Sequence, residues 1–253
     1  SGEKWPYVDS MGRFIRMYVF GQHNLGATET VDLVDQLRNK YIPNSRFPEN
    51  SRIYLGGAPA QGVDLLNSLG KSFPLVVTVI VFFTFFVLLR TFRSIVLAAK
   101  AIILDLLSIG LSISTLVIVF KFGIGTYQLE QIEAWVLILL FAILFGLSMD
   151  YEIFIVSRIR EARDRGASNE DAIREGMNSS GTVVTTAALI FITALSGLIF
   201  GHFAGLQQLG IGLAIGVLVD ATVIRGLLLP SAMVLLGDWN WWMPGQRKTP
   251  ILN

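Results

Sequence analysis

Asp150 stands inside an apolar run, WVLILLFAILFGLSMDYEIFIVS, that extends from Trp135 to Ser157. A carboxylate at the centre of a hydrocarbon-spanning helix costs roughly 3 kcal/mol on insertion scales, so an ionisable group there points to function. A carboxyl group in low dielectric can be neutral in one state and ionised in another, which is what coupling to protons requires. Gly146 lies one helical turn earlier on the same face and lets a neighbouring helix come close. Tyr151, about 100° further round the helix, can donate a hydrogen bond to a carboxylate on a facing helix. Phe154, one turn after Asp150, reads as an apolar plug packed beside a relay. Alternatively, Asp150 only joins two helices as a satisfied polar contact.

Two further carboxylates lie deep in apolar sequence. Asp220 sits near the middle of the last apolar block, with Thr222 close by and Arg225 five residues on. It is a candidate auxiliary relay group or an internal hydrogen bond, although an i to i+5 spacing does not stack it well on Arg225 in an ordinary α-helix. Asp105 is the second auxiliary candidate, with Lys100 five residues before it. Glu152, nearly opposite Asp150 on the helix, reads as a helix-interface or headgroup contact. Other chemistries are disfavoured. The chain has no cysteine and only two histidines, His23 and His202, far apart. That leaves no thiol, metal-ligand or HExxH constellation, and no GxSxG either, so neither an enzyme nor a cofactor is expected.

These groups need long helices to hold them. Hydrophobic residues make up 53% of the chain against 15% charged, and they gather into five blocks of about the ~20 residues that cross a ~30 Å hydrocarbon core. The blocks run approximately 73–89, 95–120, 134–157, 181–200 and 206–236, predicting a five-helix transmembrane domain over 73–238 and a tail over 239–253. The last is long enough to bend. Arginines cluster after the first block (Arg90, Arg93) and after the third (Arg158, Arg160, Arg163, Arg165, Arg174), and Arg247 and Lys248 lie in the tail. The positive-inside rule therefore puts those connections and the C-terminus in the cytoplasm, and residues 1–72 outside. A net charge of only +1 gives no case for a nucleic-acid partner.

Residues 1–72 contain no signal peptide or apolar span to translocate them, so the chain is expected to be the C-terminal part of a longer polypeptide. Within this segment, Arg13–Phe20 alternates like a strand with Phe14, Arg16, Tyr18 and Phe20 on one face. Thr28 or Thr30 then caps a helix carrying Val31, Val34, Leu37 and Tyr41, and Arg52–Leu55 forms a second strand. A helix over about 63–69 leads into the first span. The expected product is a small α+β subdomain, a thin core that needs a matching domain. Between the third and fourth spans, RIREARDRGASNEDAIREG predicts a short amphipathic helix at the membrane surface, with Ser168 as its N-cap, or else a solvated connector. Trp239, Trp241 and Trp242 suit the headgroup level.

The residues GLSMDYEIFIVSRIREA (Gly146–Ala162) closely resemble the motif of the MMPL family, lipid and hydrophobe transporters of the resistance-nodulation-division (RND) superfamily. The segments YLGGAPAQGVDLLNSLGKSFPLVV, GVLVDATVIRGLLLPSAMVLLG and DWNWWMP are similar to that family in the same order. The resemblance implies a half of an RND-type fold, five membrane helices with an extracytoplasmic porter subdomain, and matches the C-terminal half best. It also implies a bacterial plasma membrane location and an N-terminal half whose own Asp-Tyr pair contacts Asp150 and Tyr151 reciprocally. Protons and a lipid or other hydrophobic substrate would then be the partners, and export or flipping driven by the proton-motive force the function. A homo-oligomer covering the same helix face is the other way to bury Asp150. The competing function is a non-transporting lipid- or sterol-sensing scaffold, which would bind lipid without proton flux.

Overall fold

The computed structural model describes residues 7–8, 14–21, 28–48, 50–125 and 132–243. His23, Arg247 and Lys248 lie outside them. The chain divides into two compact units, residues 1–67 and 68–253.

In the first unit, β1 (Tyr7–Val8) pairs antiparallel with β2 (Ile15–Arg16), Tyr7 opposite Arg16 and Val8 opposite Ile15. Of the expected strand at Arg13–Phe20, Arg13 lies outside the described residues and Ile15–Arg16 is strand, while Arg52–Leu55 is not assigned as a strand among the described residues. Alternation creates a buried face only where a second layer covers it, and every residue from Phe14 to Gly21 is exposed. Helix α1 (Thr28–Gln36) forms where its apolar spacing predicts, burying Thr30 and Val34. It continues as a π-helical turn, Leu37–Tyr41, closed by the Ile42 N–H donating to the Leu37 carbonyl at 2.9 Å. That change of register carries Tyr41 off the apolar stripe, and its side chain is exposed. Arg38 clasps Asp64 with two bonds of 2.5 and 3.1 Å, an exposed pair of modest worth.

Helix α2 (Ala58–Phe92) is continuous where the sequence predicts a short helix followed by a span. Pro74 removes one backbone donor without breaking it, and Thr78 returns its hydroxyl to the Pro74 carbonyl at 2.8 Å. Ser94 caps α3 (Ile95–Phe122) by accepting from the Leu97 N–H, and Gly123, at φ 63°, ends it in the left-handed conformation. Helix α4 (Ala134–Asp164) leads through a tight turn to α5 (Asn169–Ser196), capped by Ser168. The anticipated surface helix is therefore the opening of α5 itself. Its apolar residues Ala172 and Ile173 are buried, and Gly176 meets the backbone of Ile159 so closely that a Cβ would lie 2.8 Å from the Ile159 Cα. A short 3₁₀ turn, Gly197–Phe200, precedes α6 (Ala204–Val219). The last span then becomes a π-helix over Asp220–Leu228, returns to α-helix in α7 (Leu229–Leu236) and closes in a 3₁₀ turn, Gly237–Trp241.

Five helical segments, Ala58–Phe92, Ile95–Phe122, Ala134–Asp164, Asn169–Phe200 and Ala204–Trp241, are long and apolar enough to cross a membrane. Each is longer than its apolar block because polar flanks continue the helix beyond the hydropathy signal. The most buried are α3, α4 and the last segment, whereas α2 and α5 expose apolar side chains such as Phe82, Phe83, Leu189 and Ile190. At the end of the bundle, Ser94 donates to the Asn240 carbonyl and Asn240 donates to that of Met233, tying α3 to the chain's last helical turn. Trp241 reaches Asn169 on α5, while Trp239 and Trp242 are exposed.

The core packs as a ladder. Gly212 of α6 lies against Leu140 of α4, and Gly216 lies against Leu144 and Ser112. Ser112 of α3 donates to the Gly212 carbonyl at 2.7 Å. Helices α4 and α6 thus run side by side with rungs four residues apart, the glycines admitting leucine side chains. Gly216→Leu is expected to lower stability by about 1–3 kcal/mol through overpacking, and Gly216→Ala by less because the Leu144 side-chain end is flexible and the Ser112 Oγ, 3.0 Å from the added Cβ, need give only slightly. Thermal unfolding in mild detergent measures both.

Candidate functional site

The next rung of the ladder is polar. Four residues beyond Leu144 comes Ser148, and four beyond Gly216 comes Asp220; the Ser148 hydroxyl lies 2.9 Å from an Asp220 carboxylate oxygen. The same hydroxyl makes a very short bond to Asp105 of α3. Arg225 completes the cluster. Its Nε donates to Asp220 at 2.7 Å, its guanidinium donates to the Ser148 carbonyl and, at 2.7 Å, to the Ser148 hydroxyl, and it stands 3.8 Å from Asp105. Asp105 is fully buried, Arg225 is 2% exposed and Asp220 5% exposed. Two carboxylates therefore share one guanidinium and one hydroxyl away from water.

The pairing of Asp220 with Arg225 corrects the expectation drawn from ordinary helical spacing. Across Asp220–Leu228 the backbone bonds i to i+5, as the Leu229 N–H donating to the Ile224 carbonyl shows. In that register residues five apart stack, and Arg225 lands on Asp220. Sequence reasoning also passed over Ser148, whose signal was a hydroxyl in the middle of an apolar run, four residues from a leucine on the packing face. Glu152, one turn beyond Ser148, is 2% exposed, which agrees with the helix-interface alternative and not with a headgroup contact. One of its carboxylate oxygens is buried without a hydrogen-bond partner among the described residues, as is the Lys100 ammonium.

Asp150 and Gly146 occupy a different face. Both are exposed along a strip of α4 that includes Leu139 and Ile143, and a Cβ on Gly146 would meet nothing within 4 Å. The two groups thus share one open helix face, with no described helix against the glycine. Tyr151 turns inward, its ring centroid 5.5 Å from the Arg225 guanidinium carbon, and its hydroxyl is buried without a hydrogen-bond partner among the described residues. Phe154 is partly buried against the core, with the Arg158 guanidinium over its ring at 5.6 Å. The structure therefore brings Asp105, Asp220 and Tyr151 together around Arg225, and leaves Asp150 one residue away on the outer surface of the described helices.

Compared with known proteins, residues 12–251 match the MMPL family. The chain is 36% identical over 200 residues to the mycolic acid-containing lipids exporter MmpL11 of Mycolicibacterium smegmatis, covering 78% of this chain and 21% of that protein. It is 37% identical over 228 residues to the trehalose monomycolate exporter MmpL3 of Mycobacterium tuberculosis, covering 81% of this chain and 24% of that protein. It is 36% identical over 225 residues to the heme uptake protein MmpL11 of the same species, covering 87% and 23% respectively. The chain spans about a fifth to a quarter of the length of these relatives. With a family match over almost all its residues and five helices able to cross a membrane, this multi-pass membrane chain belongs to the MMPL family.

Proposed function

We propose that the chain belongs to the C-terminal half of a transporter that exports or flips lipids or other hydrophobic molecules across the bacterial plasma membrane, driven by protons. Its charged connections face the cytoplasm and residues 1–72 lie outside. The observation that carries this is the buried cluster of Asp105, Ser148, Asp220 and Arg225. Ionisable groups are expensive in a membrane and are kept where protons or ions move. Two carboxylates on one guanidinium form a site whose charge balance changes with a single proton.

Asp150 and Tyr151 are the relay's contacts with the other half, which would carry a matching Asp-Tyr pair. Asp150 sits on a face shaped for another helix, with Gly146 permitting close approach, while Tyr151 links that face to Arg225. A proton arriving from outside neutralises a carboxylate, the charge pairing with the opposite half weakens, and the helices shift between two arrangements. Substrate travels through the extracytoplasmic domains, and the membrane residues handle protons. Names of relatives include both lipid exporters and a heme uptake protein, so the substrate class supported here is hydrophobic and amphiphilic cargo in general.

Transport of long-chain lipids by the intact protein in phospholipid vesicles, with an imposed pH gradient and with a protonophore added, tests this function. Directional transport that follows the gradient and collapses with the protonophore is the expected result. Lipid binding with no response to the gradient would favour the scaffold instead.

A further inference from the structure

The ladder does not stop at Ser148 and Asp220. One turn further along α4 stands Glu152, and five residues nearer the start of α3 than Asp105 stands Lys100. Helix α3 begins at the Arg90 and Arg93 connection, and α4 runs toward the arginine-rich turn. Both residues are therefore displaced from the Asp105 and Ser148 layer toward the same end of the bundle. Lys100 lies six residues beyond the Ser94 cap, about 9 Å along the helix at 1.5 Å per residue. Glu152 is 2% and Lys100 8% exposed, and each carries a buried polar atom with no hydrogen-bond partner among the described residues. The charges that act on Glu152 are, in order, those of Arg225 on the π-helix, Lys100 on α3 and Asp220 on the π-helix, and Glu152 in turn acts on Asp105.

Charge accounting gives this second layer a purpose. The enclosed groups are three carboxyls, Asp105, Glu152 and Asp220, against two cations, Lys100 and Arg225. Fully ionised they carry one negative charge in excess, a costly state in a low-dielectric interior. One proton makes the enclosure neutral. Arg225 turns its guanidinium back to Asp220 and Ser148, whereas a Glu152 carboxylate oxygen and the Lys100 ammonium, displaced toward the arginine-rich end, have no hydrogen-bond partner among the described residues.

Resting on the proton-coupled reading and its topology, we propose that Glu152, countered by Lys100, is the inward proton acceptor of the relay. The proton's bond to an oxygen of the Asp105 and Asp220 pair breaks as a new O–H forms on Glu152. The aspartate left ionised is held by Arg225, and Lys100 loses its counter-charge. Glu152 then releases the proton toward the cytoplasm, and its carboxylate again offsets the charges of Arg225 and Lys100. The enclosure keeps one proton through the first transfer and becomes negative only at release.

Infrared difference spectra of the intact protein in phospholipid vesicles, between mildly alkaline and mildly acidic pH, test this without any transported substrate. A protonated-carboxyl band is expected on acidification, and part of it is expected to shift when glutamate carboxyls are labelled with carbon-13. Glu152→Gln is expected to abolish the shifting part, and because it removes one excess negative charge the remaining enclosure binds no proton, so the aspartate part is lost as well. Adding Lys100→Met to Glu152→Gln is expected to restore the aspartate part. A wild-type band that the label leaves unmoved overturns the proposal, and it requires no variant to fold. A labelled shift that persists in Glu152→Gln also overturns it, because the proton then resides on another glutamate. The coupling of transport to protons is decided separately by the gradient experiment, so failure of one is distinguishable from failure of the other.

Discussion

Asp150→Asn is expected to leave the chain folded and to reduce gradient-driven transport by about a hundredfold or more, the lower end of what a positioned proton-transfer group contributes. The substitution keeps size and removes only the capacity to ionise. Asp150 is exposed on α4, and no described residue donates a hydrogen bond to its carboxylate, so the described helices lose no internal contact. Any effect must come through what meets that face in the intact protein. Tyr151→Phe makes the complementary change. It keeps the ring beneath the Arg225 guanidinium and deletes a hydroxyl that has no hydrogen-bond partner among the described residues. If the hydroxyl serves the opposite half, Tyr151→Phe also loses gradient-driven transport with little change in unfolding temperature. Full transport in Asp150→Asn would reduce that carboxylate to a polar contact between helices. Equal loss of gradient-driven and gradient-independent lipid exchange would assign the damage to architecture.

The five helices were legible because continuous apolar runs leave few alternatives in a chain with so little charge. Their true lengths were not, because residues such as Arg160 and Glu170 continue a helix without adding to its hydropathy. In the first unit the described residues carry one short strand pairing and helix α1. Alternation in Arg13–Phe20 signals a pleat, but a strand exists only with a partner, and the partner found is two residues of β1. At the site, Asp150, Tyr151, Asp105 and Asp220 stood out as charges or hydroxyls in apolar sequence. Their grouping did not. Asp220 and Arg225 meet because nine residues wind as a π-helix, and no spacing rule for α-helices anticipates that. Ser148 joins them because Leu140, Leu144 and Ser148 face Gly212, Gly216 and Asp220 in order, a correspondence between helices that a single sequence does not display. Lys100 was read only as a neighbour of Asp105 in sequence and Glu152 as a helix-interface or headgroup contact, and only packing shows both to be buried.

Arg225→Met is expected to produce the largest loss of stability of any single substitution in the bundle, about 3–5 kcal/mol, as for other buried charge pairs deprived of one partner. The cost is not the worth of the ion pair itself. Removing the guanidinium strips Asp220 of its 2.7 Å bond and Asp105 of its nearby cation, and leaves the Ser148 carbonyl without that donor. Two buried carboxylates then depend on one hydroxyl. If uncompensated charge is the cause, neutralising Asp220 should relieve it. The double variant Arg225→Met with Asp220→Asn is therefore expected to recover most of the stability, with a coupling energy toward the upper part of the roughly 0.5–3 kcal/mol seen for residues in one network. Gradient-driven transport is expected to stay lost, because Asp220 can no longer exchange a proton and Arg225 no longer holds the carboxylate left behind. Unfolding in detergent and vesicle transport on the wild type, the two single variants and the double variant separate the two roles. Stability and transport returning together in the double variant would make the cluster a structural clasp and move the relay elsewhere.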